Sequence, residues 1–289
     1  MQRRGRTETQ DTTGRCLLNG ERRIVTVTMA LTQLTIGDAR FRAGSWRGRA
    51  DLATLVPLSA AWTLDRRSLS AAREMLQDQG FRAVVTAAVA PPERAAFLRD
   101  DFSERERLHL LRYDLQPGFA GGVPRVQRLP QWRRPRPRTR RGTRRDWDDI
   151  LTIDGQSFDE FWRFDRDGLE DSITATPSSR LRTTRRSDLA ETPESDNHNE
   201  HSSEIVGYAL VGHAGGSGYL QRLAVHPAVR RQGIGTLLVN DALAWARRRG
   251  AKIVWVNTQK NNRHALRLYQ KIGFSLQDQP LTVMYRTLT

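Results

Sequence analysis

Alternating apolar and polar positions, punctuated by glycine and proline, divide the chain into short strand and helix stretches set between three polar or Arg-rich tracts. Residues 1–20 have no apolar periodicity, carry Gly14 and Gly20, and predict a disordered leader. Ile24, Val25, Val27 and Met29 sit among threonines and predict a strand over 22–30, and 52–62 has the same character. Ala72, Met75 and Leu76 fall at helical spacing, so a helix is expected over 68–79 with Gly80 as its stop and a strand over 83–89 behind it. Ten Arg and no acid then lie between Arg125 and Arg145, where Pro130, Pro135 and Pro137 favour extended chain. An exposed linker over 118–137 follows from that composition. Between 146 and 170, Trp147, Ile150, Leu151 and Ile153 form one helical face; after Gly155, Phe158, Phe161 and Trp162 form another. Residues 187–204 are polar and predict a mobile loop, in which His198 and His201 read as solvated side chains rather than metal ligands.

The pattern sharpens from Ile205. IVGYALVGHA and YLQRLAVHP read as two strands joined by the turn GGSG, the second ended by Pro227. Arg230-Arg231-Gln232-Gly233-Ile234-Gly235-Thr236 then leads directly into a helix whose apolar stripe is Ile234, Leu237, Leu238, Ala242, Trp245 and Ala246, stopped by Gly250. A glycine loop opening a helix leaves several N–H groups unpaired and backed by the positive end of the helix dipole, which is a site for phosphate. Gly233 and Gly235 would allow close approach of a pyrophosphate, and Arg230 and Arg231 add charge at its rim. The spacing Arg-x-x-Gly-x-Gly is neither the dinucleotide-binding nor the P-loop pattern.

LAVHPAVRRQGIGTLLV resembles the pyrophosphate motif of the GNAT superfamily of acyl-CoA-dependent N-acyltransferases. KIVWVNTQ looks like that family's next strand, and NNRHALRLYQKIGF like its second signature, with Asn262 opening a helix, Tyr269 within it and Gly273-Phe274 closing it. The resemblance implies an α/β fold with a mixed, mostly antiparallel central sheet flanked by helices, and an acetyl-CoA-dependent transfer of an acetyl group to a primary amine. It implies that acetyl-CoA is held by Leu223, Ala224, Val225, Arg230, Arg231, Gln232, Gly233, Ile234, Gly235, Thr236 and Asn262, with pantetheine against the backbone of Leu223 and Val225. It makes Tyr269 the acid that protonates the departing thiolate, and the Val225 N–H a donor to the oxyanion. Core packing is the other reading of Tyr269, and an N-cap worth about 1 kcal/mol the other reading of Asn262. Many relatives carry a Glu on the strand before the glycine loop. YLQRLAV has no acid, so the base stays open among Glu204, His226, Asn257 acting through water, or a water chain.

The 289 residues fit two units: a catalytic one over 138–289 and a smaller α/β half over 21–117. The latter parallels the former. Gly, strand, helix, Phe-Ser and strand recur in order, with Phe97 in the place of Tyr269, Asp101 of Gly273 and Phe102 of Phe274. The place of the phosphate loop holds LDRRSLS, without glycine, which predicts a degenerate GNAT-like half. Acceptor specificity is expected from Phe158 to Phe164, a loop at 168–177 and the final strands, which carry no code for a particular amine. A formal charge of +15, from 47 Lys plus Arg against 32 Asp plus Glu, is nearly all arginine and reads first as a solvated surface. The alternative function is a non-catalytic CoA-binding protein, or one whose Arg-rich linker holds nucleic acid weakly and salt-sensitively. Cys16 is the lone cysteine, which leaves no intrachain disulfide or cysteine-based metal site. No metal and no membrane contact are expected, since no apolar run approaches the ~18–20 residues of a span, and a cytoplasmic location fits.

Overall fold

Two strand–helix–strand–helix–strand runs join in one sheet, as a computed structural model describing residues 31–115, 138–188 and 204–288 shows. The first run comprises strands β1 (Thr32–Ile36), β2 (Ala39–Trp46) and β3 (Arg49–Pro57), helix α1 (Arg66–Asp78), β4 (Ala83–Val89), α2 (Pro91–Arg99) and β5 (Ser103–Asp114). The second comprises β6 (Arg140–Arg141), α3 (Trp147–Ser157), α4 (Arg166–Thr174), β7 (Ser178–Arg185), β8 (Ile205–Ala214), β9 (Ser217–Val225), α5 (Ile234–Arg248), β10 (Ile253–Gln259), α6 (Arg263–Ile272), β11 (Ser275–Leu276) and β12 (Leu281–Thr287). The leader, the strand expected at 22–30, the linker at 118–137, most of the loop at 187–204, Cys16 and both histidines of that loop lie outside the described residues.

The sheet order is β1-β2-β3-β4-β12-β5-β10-β9-β8-β7-β6, with β11 beside β5. Its centre is an exchange. β3 runs parallel to β4 and β9 parallel to β10, yet β4 pairs with β12 and β10 pairs with β5, both antiparallel. Each run therefore gives its last long strand to the other, and β12 and β5 pair across the middle. The unit boundary drawn from sequence at 118–137 does not divide the sheet, because β5 completes the second run and β12 the first.

The two runs also end their second helix in the same way. Phe102 N–H reaches back to Phe97 C=O (3.1 Å) and Asp101 N–H to Leu98 C=O (3.2 Å); Phe274 N–H reaches Tyr269 C=O (3.0 Å) and Gly273 N–H reaches Gln270 C=O (3.0 Å). That bonding needs a left-handed residue just past the helix, supplied by Asp101 (φ +56°) and Gly273 (φ +113°). Phe97 stacks edge-on against Phe102 (4.9 Å), where Tyr269 packs against Phe274 (5.6 Å).

Three buried clusters place the helices. Ile234, Leu238, Ala242, Trp245 and Ala246 of α5 join Tyr269 and Ile272 of α6 over Val254, Val256 and Leu220. Leu69, Ala72 and Leu76 of α1 join Ala96 and Phe97 of α2 in the corresponding cluster of the first run. Trp147, Ile150 and Ile153 of α3 and Leu169 of α4 cover Tyr208, Leu210 and Ala224 on the opposite face.

Three expectations need correction. The strand expected over 52–62 is β3, which stops at Pro57; Leu58 N–H makes the last cross-strand bond, to Arg40 C=O (2.8 Å), and Trp62 sits 81% exposed in a single 3-10 turn. Helix α3 runs through Gly155 to Ser157 instead of breaking there, at a cost of about 1 kcal/mol relative to Ala. Residues 158–165 are then not helical: Trp162 and Arg163 both donate to Asp159 C=O (3.0 Å each) in a turn, and Gly168, expected in a loop, lies within α4.

An edge left bare is costly, because unpaired strand groups seek other partners. Residues 138–289 produced alone lack β4 and β5, which leaves β10 with one open side and β12 with neither of its partners. They are expected to aggregate and to show no cooperative thermal transition by circular dichroism, and co-expression with residues 1–137 to restore a single transition.

Candidate active site

The glycine loop opens α5 as its sequence dictates. Gly233 takes φ +84° and Arg231 φ +64°, so the chain turns twice through the left-handed region before the helix starts. No side chain caps α5; its first bond is Leu237 N–H to Gly233 C=O (2.9 Å). The N–H groups of Gln232, Gly233, Ile234, Gly235 and Thr236 have no acceptor among the described residues. Arg230 and Arg231 are exposed beside them, Arg230 bonding through Nε to Val225 C=O (3.1 Å). Uncapped amides, a helix dipole and two guanidinium groups fit the chemistry of a pyrophosphate. Gly235 has a different reason from the one expected: a Cβ there would meet Leu268 Cδ2 at 3.1 Å, so its missing side chain serves the approach of α5 to α6.

The first run shows the contrast. Helix α1 stands where α5 stands in the second, and its N-cap is Asp65, whose carboxylate accepts from Ser68 N–H (2.7 Å) and is held below the usual range by that bond. A carboxylate of the chain takes the place where an anion would sit.

Strand β9 leaves β10 next to the α5 loop. The two pair only from Ser217/Ile253 to Leu220/Val256, and the register of β9 against β8 slips at Gln221. A bulge at that point bends β9 away. His226 N–H donates to Val206 C=O (2.8 Å), which fixes Ala224 and Arg222 as the residues bonded to β8. The alternate residues Leu223 and Val225 turn their amide groups away from β8, toward the gap.

Tyr269 is 5% exposed in the cluster that lines this gap, with Leu223 and Val225 packed on the same cluster. Its hydroxyl makes no hydrogen bond among the described residues, and burial pushes its pKa well above the ordinary tyrosine value. Asn262 caps α6, Oδ1 accepting from Ala265 N–H (3.0 Å). Of the candidate bases, Glu204 is paired with Arg186 (2.7 Å), which holds its carboxylate below the usual range. His226 Nδ1 accepts from Ala228 N–H (3.2 Å), so its basic nitrogen is engaged. Asn257 lies on β10 just past the last residue paired with β9 and is exposed.

On the face of α3, a buried network holds residues 158–164. Asp154 is 0% exposed and accepts from Arg222 Nε and Nη2 (2.7 Å each), Tyr208 hydroxyl (2.5 Å) and Phe164 N–H (2.7 Å). Arg222 also donates to Trp162 C=O (2.6 Å) and lies over the rings of Phe158 (3.4 Å) and Phe164 (4.1 Å). The first run closes the other side, a contribution with no local signal in the sequence. Trp46 stacks on Phe161 (5.3 Å) and donates to its carbonyl (3.3 Å), while Arg47 donates to Arg163 C=O (3.0 Å). A Cβ on Gly48 would run into Asp165, the N-cap of α4, so the β2–β3 turn must be glycine to seat there. Trp162 Nε1 donates to Glu106 on β5 (2.7 Å). No group of three or more His, Cys, Asp or Glu among the described residues converges as an ion site, and no described helix is long and apolar enough to cross a membrane.

The sheet that splays beside an uncapped glycine-loop helix has counterparts. Residues 156–274 match the Acetyltransferase (GNAT) family. Over 59 residues it is 42% identical to GCN5-related N-acetyltransferase 6, chloroplastic, of Arabidopsis thaliana, a match covering 20% of this chain and 20% of that protein. Only a fifth of that relative's length is therefore spanned. Among solved structures, a tandem GNAT protein from the clavulanic acid biosynthesis pathway superposes with a TM-score of 0.59 at 13% identity, covering 87% of this chain and 79% of that one. A GNAT-family acetyltransferase from Novosphingobium aromaticivorans does so with 0.54 at 15% identity, covering 89% and 92%. At such identities the likeness is one of fold, and it extends over both runs.

Proposed function

We propose that the protein is an N-acetyltransferase that uses acetyl-CoA to acetylate a primary amine at the gap between β9 and β10, and that the first run is a GNAT-like unit without a cofactor site of its own. The observation that carries this reading is the uncapped N-terminus of α5 beside the point where β9 leaves β10. Bound acetyl-CoA supplies an activated thioester carbonyl. The amides of Gln232 to Thr236, with Arg230 and Arg231, hold its pyrophosphate. The amide groups of Leu223 and the N–H of Val225, none of them bonded to β8, align the pantetheine arm as an added strand would, and the Val225 N–H donates to the carbonyl oxygen as charge develops there. As the amine nitrogen bonds to the carbonyl carbon and the C–S bond breaks, Tyr269, which keeps its proton throughout the physiological range, delivers it to the departing sulfur. The protons given up by the ammonium pass to water in the gap, from which Tyr269 is reprotonated. The second glycine helps by letting α6, which carries Tyr269, lie close to the loop.

The N-terminal unit is degenerate because Asp65 caps α1, so anion binding there is suppressed by a fixed carboxylate. Calorimetric titration with acetyl-CoA, followed by a thiol-release assay over a panel of primary amines, tests the proposal. One binding site per chain and amine-dependent thiol release are expected. Heat on CoA addition without thiol release from any amine would identify a CoA-binding protein instead.

A further inference from the structure

The exchange of strands brings one carboxylate of the first run to the acceptor side of the gap. Glu106 lies on β5, next to β10, and its Oε2 accepts from Trp162 Nε1 (2.7 Å) and Gln259 Nε2 (3.4 Å). Trp162 in turn accepts at its carbonyl from Arg222 on β9 (2.6 Å). Trp162 thus links β9, through its carbonyl, to β5, through its indole, and fixes the carboxylate. Phe161 and Trp162, half-buried and packed edge-to-face (5.1 Å), form the adjoining wall.

Arginine is abundant enough to give a net charge of +15, and Glu104, two residues away on the same strand, is paired with both Arg94 and Arg107. Glu106 has no ion pair among the described residues, and its Oε1 has no hydrogen-bond partner among them. Of the two arginines that flank it on the strand, Arg105 lies over the ring of Phe161 (3.9 Å) and Arg107 is paired with Glu104. A neutral acceptor would serve the indole and amide donors equally well. A half-buried carboxylate beside aromatic rings is costly unless a cation completes it.

We infer that Glu106 receives the ammonium group of a cationic acceptor, so that the first run supplies the specificity-determining carboxylate of the site. This assignment rests on the acetyltransferase reading above and adds the acceptor class to it: an aliphatic amine charged at neutral pH, bound at the open Oε1 of Glu106. The acceptor then reaches the gap from the face of α3, opposite the helices that hold the cofactor.

Glu106→Gln separates charge from shape, because the new carbonyl oxygen can still accept from Trp162 and Gln259. Wild type and variant are compared in thiol release with 1,4-diaminobutane, a lysine-containing peptide amide and an aminoglycoside as cationic acceptors, and with hydroxylamine as an uncharged one. Acetyl-CoA affinity is measured by calorimetry and folding by thermal melting. The expected result is a fall of about 10- to 100-fold in kcat/KM for the cationic amines, the range for a hydrogen bond to a charged group. The hydroxylamine rate, acetyl-CoA affinity and melting temperature are expected to hold. Equal losses for charged and uncharged acceptors, or unchanged rates for all, overturn the assignment. A wild-type chain that binds acetyl-CoA but acetylates none of the cationic amines overturns it while leaving the cofactor site standing; a chain that binds no acetyl-CoA overturns the acetyltransferase reading as well.

Discussion

Asp154→Ala is expected to destabilise the protein by about 3–5 kcal/mol, the cost of leaving a buried charge without its partner. The side chain it removes is wholly buried and accepts four hydrogen bonds, two of them the forked pair from Arg222. Without it, Arg222 is a cation buried against the rings of Phe158 and Phe164 with only the Trp162 carbonyl to bond. The Tyr208 hydroxyl and the Phe164 amide lose their acceptor as well. Chemical denaturation should show the midpoint falling with an unchanged slope. The double variant Asp154→Ala, Arg222→Met should recover a good part of the loss, because removing both charges avoids the unpaired one. Neither single change touches the α5 loop. In variants that remain folded, acetyl-CoA affinity should therefore hold while the acceptor KM rises, since residues 158–164 lose their anchor.

That division of labour follows from the topology. The proposed cofactor side draws on α5, α6 and β9, all from the second run, and its parts lie within some 50 residues of one another. The acceptor side draws on α3, the turn at 158–165, the β2–β3 turn and β5, and it exists only because the last long strands are exchanged. On the proposed reading, a change of acceptor can arise in the first run without disturbing the α5 loop, which gives a physical reason for keeping a unit whose own first-helix N-terminus is capped by Asp65.

The loop and helix ends of the proposed cofactor side were legible in the sequence because their signals are local. A positive φ at Gly233, an N-cap at Asn262 and a left-handed stop at Gly273 are each written in a residue type whose backbone or side-chain chemistry leaves few alternatives. The paired signature of Phe97 to Phe102 and Tyr269 to Phe274 was legible for the same reason. The strands β1 and β2 were not picked out, although Ala39, Phe41 and Ala43 are fully buried and alternate with Arg40 and Arg42. Arginines at every second position hide a short alternation among other arginine-rich stretches. The turn at 158–165 reads as helix because Phe158, Phe161 and Trp162 have helical spacing, whereas they are held by Asp154, Arg222 and Trp46 from three other elements. Glu106 is out of reach of any local pattern, since its neighbours Trp162 and Gln259 lie 56 and 153 residues further along.

Tyr269→Phe is expected to lower kcat by about 10²- to 10⁴-fold, the usual span for a general acid, with acetyl-CoA affinity and stability nearly unchanged. The substitution removes a single oxygen that makes no hydrogen bond among the described residues, so the contact with Phe274 and the packing of α6 survive. The pH dependence gives a second, independent readout. Burial raises the hydroxyl's pKa far above that of an exposed tyrosine, because the anion would lose its hydration in an apolar cluster. The neutral form, the one able to give a proton, therefore persists as pH rises through the range where an exposed phenol ionises. An alkaline loss of activity at or below about pH 10 must come from another group, and it should be the same in wild type and variant. An alkaline limb that disappears in Tyr269→Phe would mean that the hydroxyl titrates in the accessible range, and a kcat unaffected by the substitution would leave Tyr269 as a core residue only.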